Sequence, residues 1–171
     1  MNTNAVDFFK NNPVGSDGSD RKLIIAAWQL KNPDNMGKII RLAHNVGAER
    51  VLFIQGNEQQ RESKIRRTAG FSYDQMPWQI ISEEEFTTEY LKNYSLTVLE
   101  TCEGASNIFT QQIPGKTILL GGSESHGIPA HIIEKSECKV FIPMHGGCKS
   151  MNISNALSVA AFEWLRQQHY K

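Results

Sequence analysis

Three stretches hold side chains whose types and spacing suit chemistry. Residues 143–155 carry Gly146 and Gly147, followed by Ser150, Asn152, Ser154 and Asn155. The glycines let a ligand approach the backbone, and the four polar residues are natural caps for a helix whose first N–H groups and partial positive charge favour a polar ligand. A second stretch places Glu124 among Gly121, Gly122 and Gly127. The third, RESKIRRTAGF, supplies Arg61, Lys64, Arg66 and Arg67 within seven residues and is the only dense basic run. Such a run is either a solvated basic helix or a phosphate-contacting surface with salt-sensitive affinity. Phe71, Tyr73 and Trp78 come next and suit base stacking or core packing equally. Cys102, Cys138 and Cys148 have no CxxC or metal-ligand spacing, so reduced thiols are expected. A zinc site from Cys148, His145 and His126 is a minor alternative, and no metal is expected.

The elements that must position these residues alternate between strand and helix. Residues 23–28, 51–54, 80–81, 96–99, 117–120 and 139–142 are short apolar runs. Continuous apolar strands of this kind belong to parallel sheets covered on both faces. Between the first two runs, Ile39, Ile40, Ala43 and Val46 form a helical stripe closed by Gly47, with Asn35 placed to cap a helix from Gly37. Ser82 and Glu85 have capping-box spacing for a helix reaching Leu91. Residues 101–116 leave room for a loop and a short helix. Leu157, Ala160, Ala161, Trp164 and Leu165 predict a last, amphipathic helix. The expected fold is therefore α/β, with a mainly parallel sheet and helices on both faces. Loops 31–37, 121–129 and 143–152 would then lie at the carboxyl ends of strands, where open sheets bind ligands.

Composition narrows the function classes. The chain of 171 residues suits one domain over 21–171, preceded by a polar, flexible arm over 1–20 in which Val6, Phe8 and Phe9 are the apolar exceptions. There is no run of about 20 apolar residues and no hydrophobic leader region, so a cytoplasmic protein without membrane partners is expected. With 18 basic and 18 acidic side chains, no overall field attracts nucleic acid, and a polyanion must meet a local patch. The absence of GxGxxG and of a Walker lysine disfavours a nucleotide-cofactor oxidoreductase or a nucleotide triphosphatase.

Taken together, NPDNMGKIIRLAHNVGA at 32–48, ILLGGSESHGIP at 118–129 and IPMHGGCKSMNISNA at 142–156 resemble the three ordered motifs of the SpoU (TrmH) family of RNA ribose 2′-O-methyltransferases, within the SPOUT superfamily. The resemblance spans about residues 22–168 and is greatest to short members, including those that modify the tRNA wobble position. It implies a C-terminal deep trefoil knot, a homodimer whose sites are completed by the partner chain, and S-adenosylmethionine as methyl donor with S-adenosylhomocysteine as product. It also implies roles. Arg41 would activate the hydroxyl, Asn35 would position Arg41 or the RNA, Glu124 would anchor its loop or orient Arg41 and Asn35, and Ser150 and Asn152 would hold RNA or the active-site loops. Glu100 or Thr101, Gly122, Ile142, Met144 and Met151 match cofactor-contacting positions, although Met144 and Met151 suit a core as well. Lys38, Arg61, Lys64, Arg66 and Arg67 would contact phosphate. Departures are slight: Lys38, His126 and HGGCK fall where the family varies, and Met151 replaces a commoner Leu. The expected activity is 2′-O-methylation of structured RNA, tRNA before rRNA because there is no added RNA-binding domain. The other readings are an rRNA enzyme and an RNA-binding module without catalysis.

Overall fold

The protein is described by a computed structural model covering residues 4–13, 21–55, 60–123 and 125–170. In chain order its elements are α1 (Ala5–Asn11), β1 (Lys22–Trp28), α2 (Pro33–Val46), β2 (Arg50–Ile54), α3 (Glu62–Ala69), α4 (Ser72–Gln75), β3 (Trp78–Ile81) and α5 (Glu83–Glu85). A π-helical turn (Phe86–Tyr90) continues α5, and β4 (Ser95–Leu99), β5 (Ser106–Asn107), β6 (Lys116–Gly121), α6 (Ala130–Ile133), β7 (Cys138–Phe141) and α7 (Ile153–His169) complete the chain.

The apolar runs become one seven-stranded sheet in the order β3-β2-β1-β6-β4-β7-β5, with every strand pair parallel. Successive side chains of β1 leave on opposite faces. Leu23, Ile25 and Ala27 join a core with Met36, Ile39 and Ile40 of α2 and Leu157, Ala160 and Trp164 of α7. Ile24, Ala26 and Trp28 join a second core with Phe86 and with Ile132 of α6. Helices therefore cover both faces, which is why the strands read as unbroken apolar runs. After β3 the chain crosses to the other half of the sheet, and β6 later returns to lie between β1 and β4. That insertion reverses the strand order beside β1 and opens a crevice at the carboxyl ends.

Some local expectations are corrected. Helix α2 begins at Pro33, capped by Asn32, whose side chain accepts from the Asp34 N–H at 2.9 Å. Proline suits the first helical position because its missing N–H has no partner there, so Asn35 lies inside the first turn, buried, rather than capping a helix at Gly37. The short helix expected within 101–116 is absent, and edge strand β5 pairs with β7 instead. Asn107, the last residue of that strand, makes an Asx turn by accepting from the Phe109 N–H at 3.0 Å, a local bond that competes with helix. Ser82 does cap its helix, accepting from the Glu85 N–H at 3.1 Å, but the helix widens into the π turn instead of running regularly to Leu91. In the N-terminal arm, Asn4 caps α1 and no α1 side chain is buried, so Val6, Phe8 and Phe9 stay exposed. Residues 1–3 and 14–20 of the arm lie outside the described residues.

Among the described residues no helix is long and apolar enough to cross a membrane. Among those residues no His, Cys, Asp and Glu group is placed to hold a metal, so Cys148, His145 and His126 form no such cluster.

Candidate active site at the carboxyl ends of the strands

The loops leaving β4, β6 and β7 enclose a cleft of about 480 Å³. Its β6 side is shaped by close backbone approach. A Cβ on Gly122 would lie 2.6 Å from the Gly127 carbonyl carbon and 2.9 Å from the Ile128 nitrogen, so only glycine lets the loop fold back here. Ser123 and Gly127 exchange two backbone hydrogen bonds of 3.2 Å across the returning loop. From β4, one Glu100 carboxylate oxygen accepts from the Ile128 N–H at 3.2 Å and the other from the Thr101 N–H at 3.0 Å. Glu100 thus ties the end of β4 to the loop after β6.

Glu100, Thr101, Gly122, Ile142, Met144 and Met151 all line this cleft. Ser150 and Asn152 line it as well, at the start of α7. Of the four polar residues expected as caps, Asn152 is the one that caps α7, accepting from the Ser154 N–H at 3.0 Å and the Ser154 hydroxyl at 2.6 Å. The Asn152 side-chain amide donates to Asn35 Oδ1 at 3.2 Å. This bond joins residues 117 positions apart, bringing the first and third motifs together. Glu124 lies outside the described residues.

Arg41 does not line the cleft. It is exposed on α2, six residues and about 9 Å along the helix from Asn35. Among the described residues it has no ion-pair partner, unlike Arg66 and Arg67. Lys38 is exposed one turn before it.

The basic run becomes α3, which begins after an exposed Arg61 and leaves Lys64 half-buried. Two of its cations are engaged. Arg66 bonds Asp74 at 2.9 Å and lies over the Tyr73 ring, while Arg67 stands 3.6 Å from Asp34. The Thr68 hydroxyl donates to Asp34 at 2.8 Å, and this bond, with Arg67 and Lys64, holds the Asp34 carboxyl below the ordinary carboxylate value despite some desolvation. The aromatic residues divide. Tyr73 is buried and packs edge-on to Trp78; burial and a hydrogen bond to Glu62 push its phenol upward. Phe71 is exposed and stacks on His44.

The sequence gives little warning of three other cleft residues. Ser123, Ser125 and Lys149 line the cleft, and Lys149 Nζ donates to the Met144 carbonyl at 2.9 Å, bracing the glycine-rich loop across its base. A lysine beside a cap carries no pattern of its own. Gln55 is similar: buried at the end of β2, it donates to the Leu30 carbonyl at 2.9 Å and fixes the loop entering α2.

Comparison with known proteins places this geometry. Residues 22–162 match the model of the SpoU rRNA Methylase family. The chain is 28% identical over 150 residues to the 23S rRNA (guanosine-2'-O-)-methyltransferase RlmB of Pseudomonas syringae pv. tomato, covering 87% of this chain and 60% of that protein. It thus spans about three fifths of the length of that relative. It is 31% identical over 159 residues to the tRNA (cytidine(34)-2'-O)-methyltransferase of Yersinia pestis, covering 86% of this chain and 95% of that protein. In fold it resembles an AdoMet-bound rRNA methyltransferase from Sinorhizobium meliloti, with a TM-score of 0.78 at 21% identity, over 88% of this chain and 57% of that one. With three motifs gathered at the sheet's switch point and a family match over most of its length, the chain belongs to the SpoU methylase family.

Proposed function

We propose that this protein transfers a methyl group from S-adenosylmethionine to a ribose 2′-hydroxyl of tRNA, at the wobble nucleotide. The observation that carries the reading is the Asn152–Asn35 hydrogen bond at 3.2 Å, which couples the mouth of the cleft to the helix bearing Arg41. Support for tRNA comes from the Yersinia pestis relative, named for cytidine 34, because this chain spans 95% of it. The rRNA reading rests on the longer RlmB relative.

The cleft fits the methyl donor. Its volume falls within the range of about 300–1,000 Å³ usual for small-molecule sites. Glu100, Thr101 and Gly122 bring the strand ends to its polar side, while Ile142, Met144 and Met151 offer an apolar wall. When bound, S-adenosylmethionine supplies a methyl carbon already activated by its sulfonium. The protein's share is to present the hydroxyl. The guanidinium of Arg41 polarises the 2′-oxygen and stabilises the charge that develops as its proton leaves to an RNA phosphate or water. Asn35 and Asn152 fix the first turn of α2, Glu124 orients Arg41 and Asn35, and Ser150 holds the loop. Orientation of this kind supplies much of the acceleration when the acceptor is a poor nucleophile. Lys38, Arg61, Lys64, Arg66 and Arg67 neutralise phosphates, so affinity falls with salt.

The same reading includes a homodimer, a C-terminal trefoil knot around the donor site, S-adenosylhomocysteine as product and a cytoplasmic location. It is tested by incubating the protein with labelled S-adenosylmethionine and unmodified tRNA or rRNA, then digesting the RNA to nucleosides. Label in a 2′-O-methyl nucleoside from tRNA is expected. Label confined to rRNA would transfer the activity to the second substrate, and label in neither would overturn it.

A further inference from the structure

Phe71 is 77% exposed, more than any other large apolar side chain among the described residues. Its position is built. Helix α3 ends at Gly70, whose φ of +58° is one that L side chains rarely adopt. A Cβ there would meet nothing within 4 Å, so the glycine serves the turn and not the packing. The turn sets Phe71 against His44 of α2, with ring centroids 5.9 Å apart and planes 28° from parallel. His44 is itself held, its Nδ1 lying 3.0 Å from the Ser72 hydroxyl. One face of the phenyl ring is thus backed by a fixed imidazole while most of its surface stays in water.

Exposing so large an apolar group in a fixed place gains nothing for folding, and its surroundings indicate the occupant. His44 follows Arg41 by three residues, so it lies one helical turn away. Lys38 and Arg41 are exposed on the same helix, Arg61 is exposed just before α3, and Arg66 and Arg67 are exposed on α3 beside their acidic partners Asp74 and Asp34. A stacking surface among cations is complementary to an unpaired nucleotide, whose base offers a flat face and whose phosphate is negative.

Resting on the RNA-methylation reading above, we infer that the His44–Phe71 pair is a stacking platform for an unpaired RNA base next to the nucleotide whose ribose meets Arg41. The platform reads a flat base and not its edges, so it tolerates any base and sets the position of the strand.

The test uses the full chain and an unmodified anticodon stem-loop carrying 2-aminopurine beside the target nucleotide. Wild type is expected to quench the 2-aminopurine, and Phe71→Ala to lose that quenching and bind RNA about tenfold or more weakly, as loss of one stacked base implies. Phe71→Trp should restore both, Phe71→Leu neither, and all variants should bind S-adenosylmethionine as wild type does. Equal RNA affinity and quenching for wild type, Phe71→Ala and Phe71→Leu, with methylation intact, would overturn the platform alone. A wild type that binds no RNA would overturn the proposed function and the platform with it.

Discussion

At the scale of single residues, Asn152 has two tasks that substitution can separate. It caps α7 through its side-chain oxygen and reaches Asn35 through its amide. Asn152→Asp keeps the capping oxygen but loses the amide donor, while Asn152→Ala loses both. Thermal unfolding should show Ala lowering stability by about 1 kcal/mol, the usual worth of a cap, with Asp closer to wild type. Methylation assays should show both impaired, because neither couples the cleft to α2. Gly122→Ala should act differently. Its Cβ would meet backbone atoms of Gly127 and Ile128, which have no flexible end to yield. Overpacking of about 1–3 kcal/mol, taken on the loop that lines the cleft, corresponds on the proposed function to roughly 5- to 150-fold in affinity for S-adenosylmethionine. Calorimetric titration reads this directly, and unchanged affinity would mean that the loop opens without affecting the cleft. Part of this scale was visible in the sequence, since Gly122, Ile142, Met144, Ser150, Met151 and Asn152 of the motifs line one cleft, whereas Arg41 does not. Hidden were the braces, Glu100 to Ile128 and Lys149 to Met144, because a lone charged residue beside a loop has no period and its partner is a backbone group.

At the scale of elements, the packing of α2 on α3 decides whether the basic helix sits beside Arg41. A Cβ on Gly37 would come within 2.7 Å of both the Ile65 carbonyl oxygen and Thr68 Cβ. Gly37→Ala should therefore push the helices apart, costing about 1–3 kcal/mol. For a domain of this length each kcal/mol lowers the melting temperature by roughly 2–4 °C. RNA affinity should fall with it. The same helix pair is clamped by Asp34, which Thr68 and Arg67 approach from α3. Because folding lowers the Asp34 pKa, its contribution is present above the unfolded carboxylate range and is lost as pH falls through the lower folded value. Acid titration of wild type against Asp34→Asn should show that part of the acid sensitivity missing from the variant, with the two curves differing least at the lowest pH. The sequence supplied the strand runs and the apolar stripes of α2 and α7, since both obey a period. It missed β5 because two residues are too few for any pattern, and it placed the start of α2 late because Pro33 was read as loop when it suits a helix's first position. It also could not show that Arg66 and Arg67 already have acidic partners, as Asp74 and Asp34 meet them only in the fold.

At the scale of the whole molecule, strand order makes the site. Inserting β6 between β1 and β4 sets the end of β6 beside that of β4, with β7 on the other side of β4. Loops far apart in sequence thereby share one crevice, and α2 and α7 meet over the same face of the sheet. Parallel pairing was legible in the unbroken apolar runs, but the order was not, because every strand of such a sheet looks alike from its own sequence. The proposed function divides the labour between a donor cleft at the strand ends and an RNA track across α2 and α3, on either side of the observed Asn35–Asn152 bond. Arg41 lies on the RNA side of that junction, so it should matter for reaction and little for donor binding. The deciding measurement is the single-turnover rate of methyl transfer to saturating tRNA by Arg41→Ala beside wild type, with S-adenosylmethionine affinity and melting temperature measured on the same samples. A rate lower by about a hundredfold or more, the usual worth of a group that stabilises charge developing in the transition state, with donor affinity and melting temperature unchanged, is the expected result. A wild-type rate in the Arg41→Ala protein would contradict the role given to Arg41 and the chemistry built upon it.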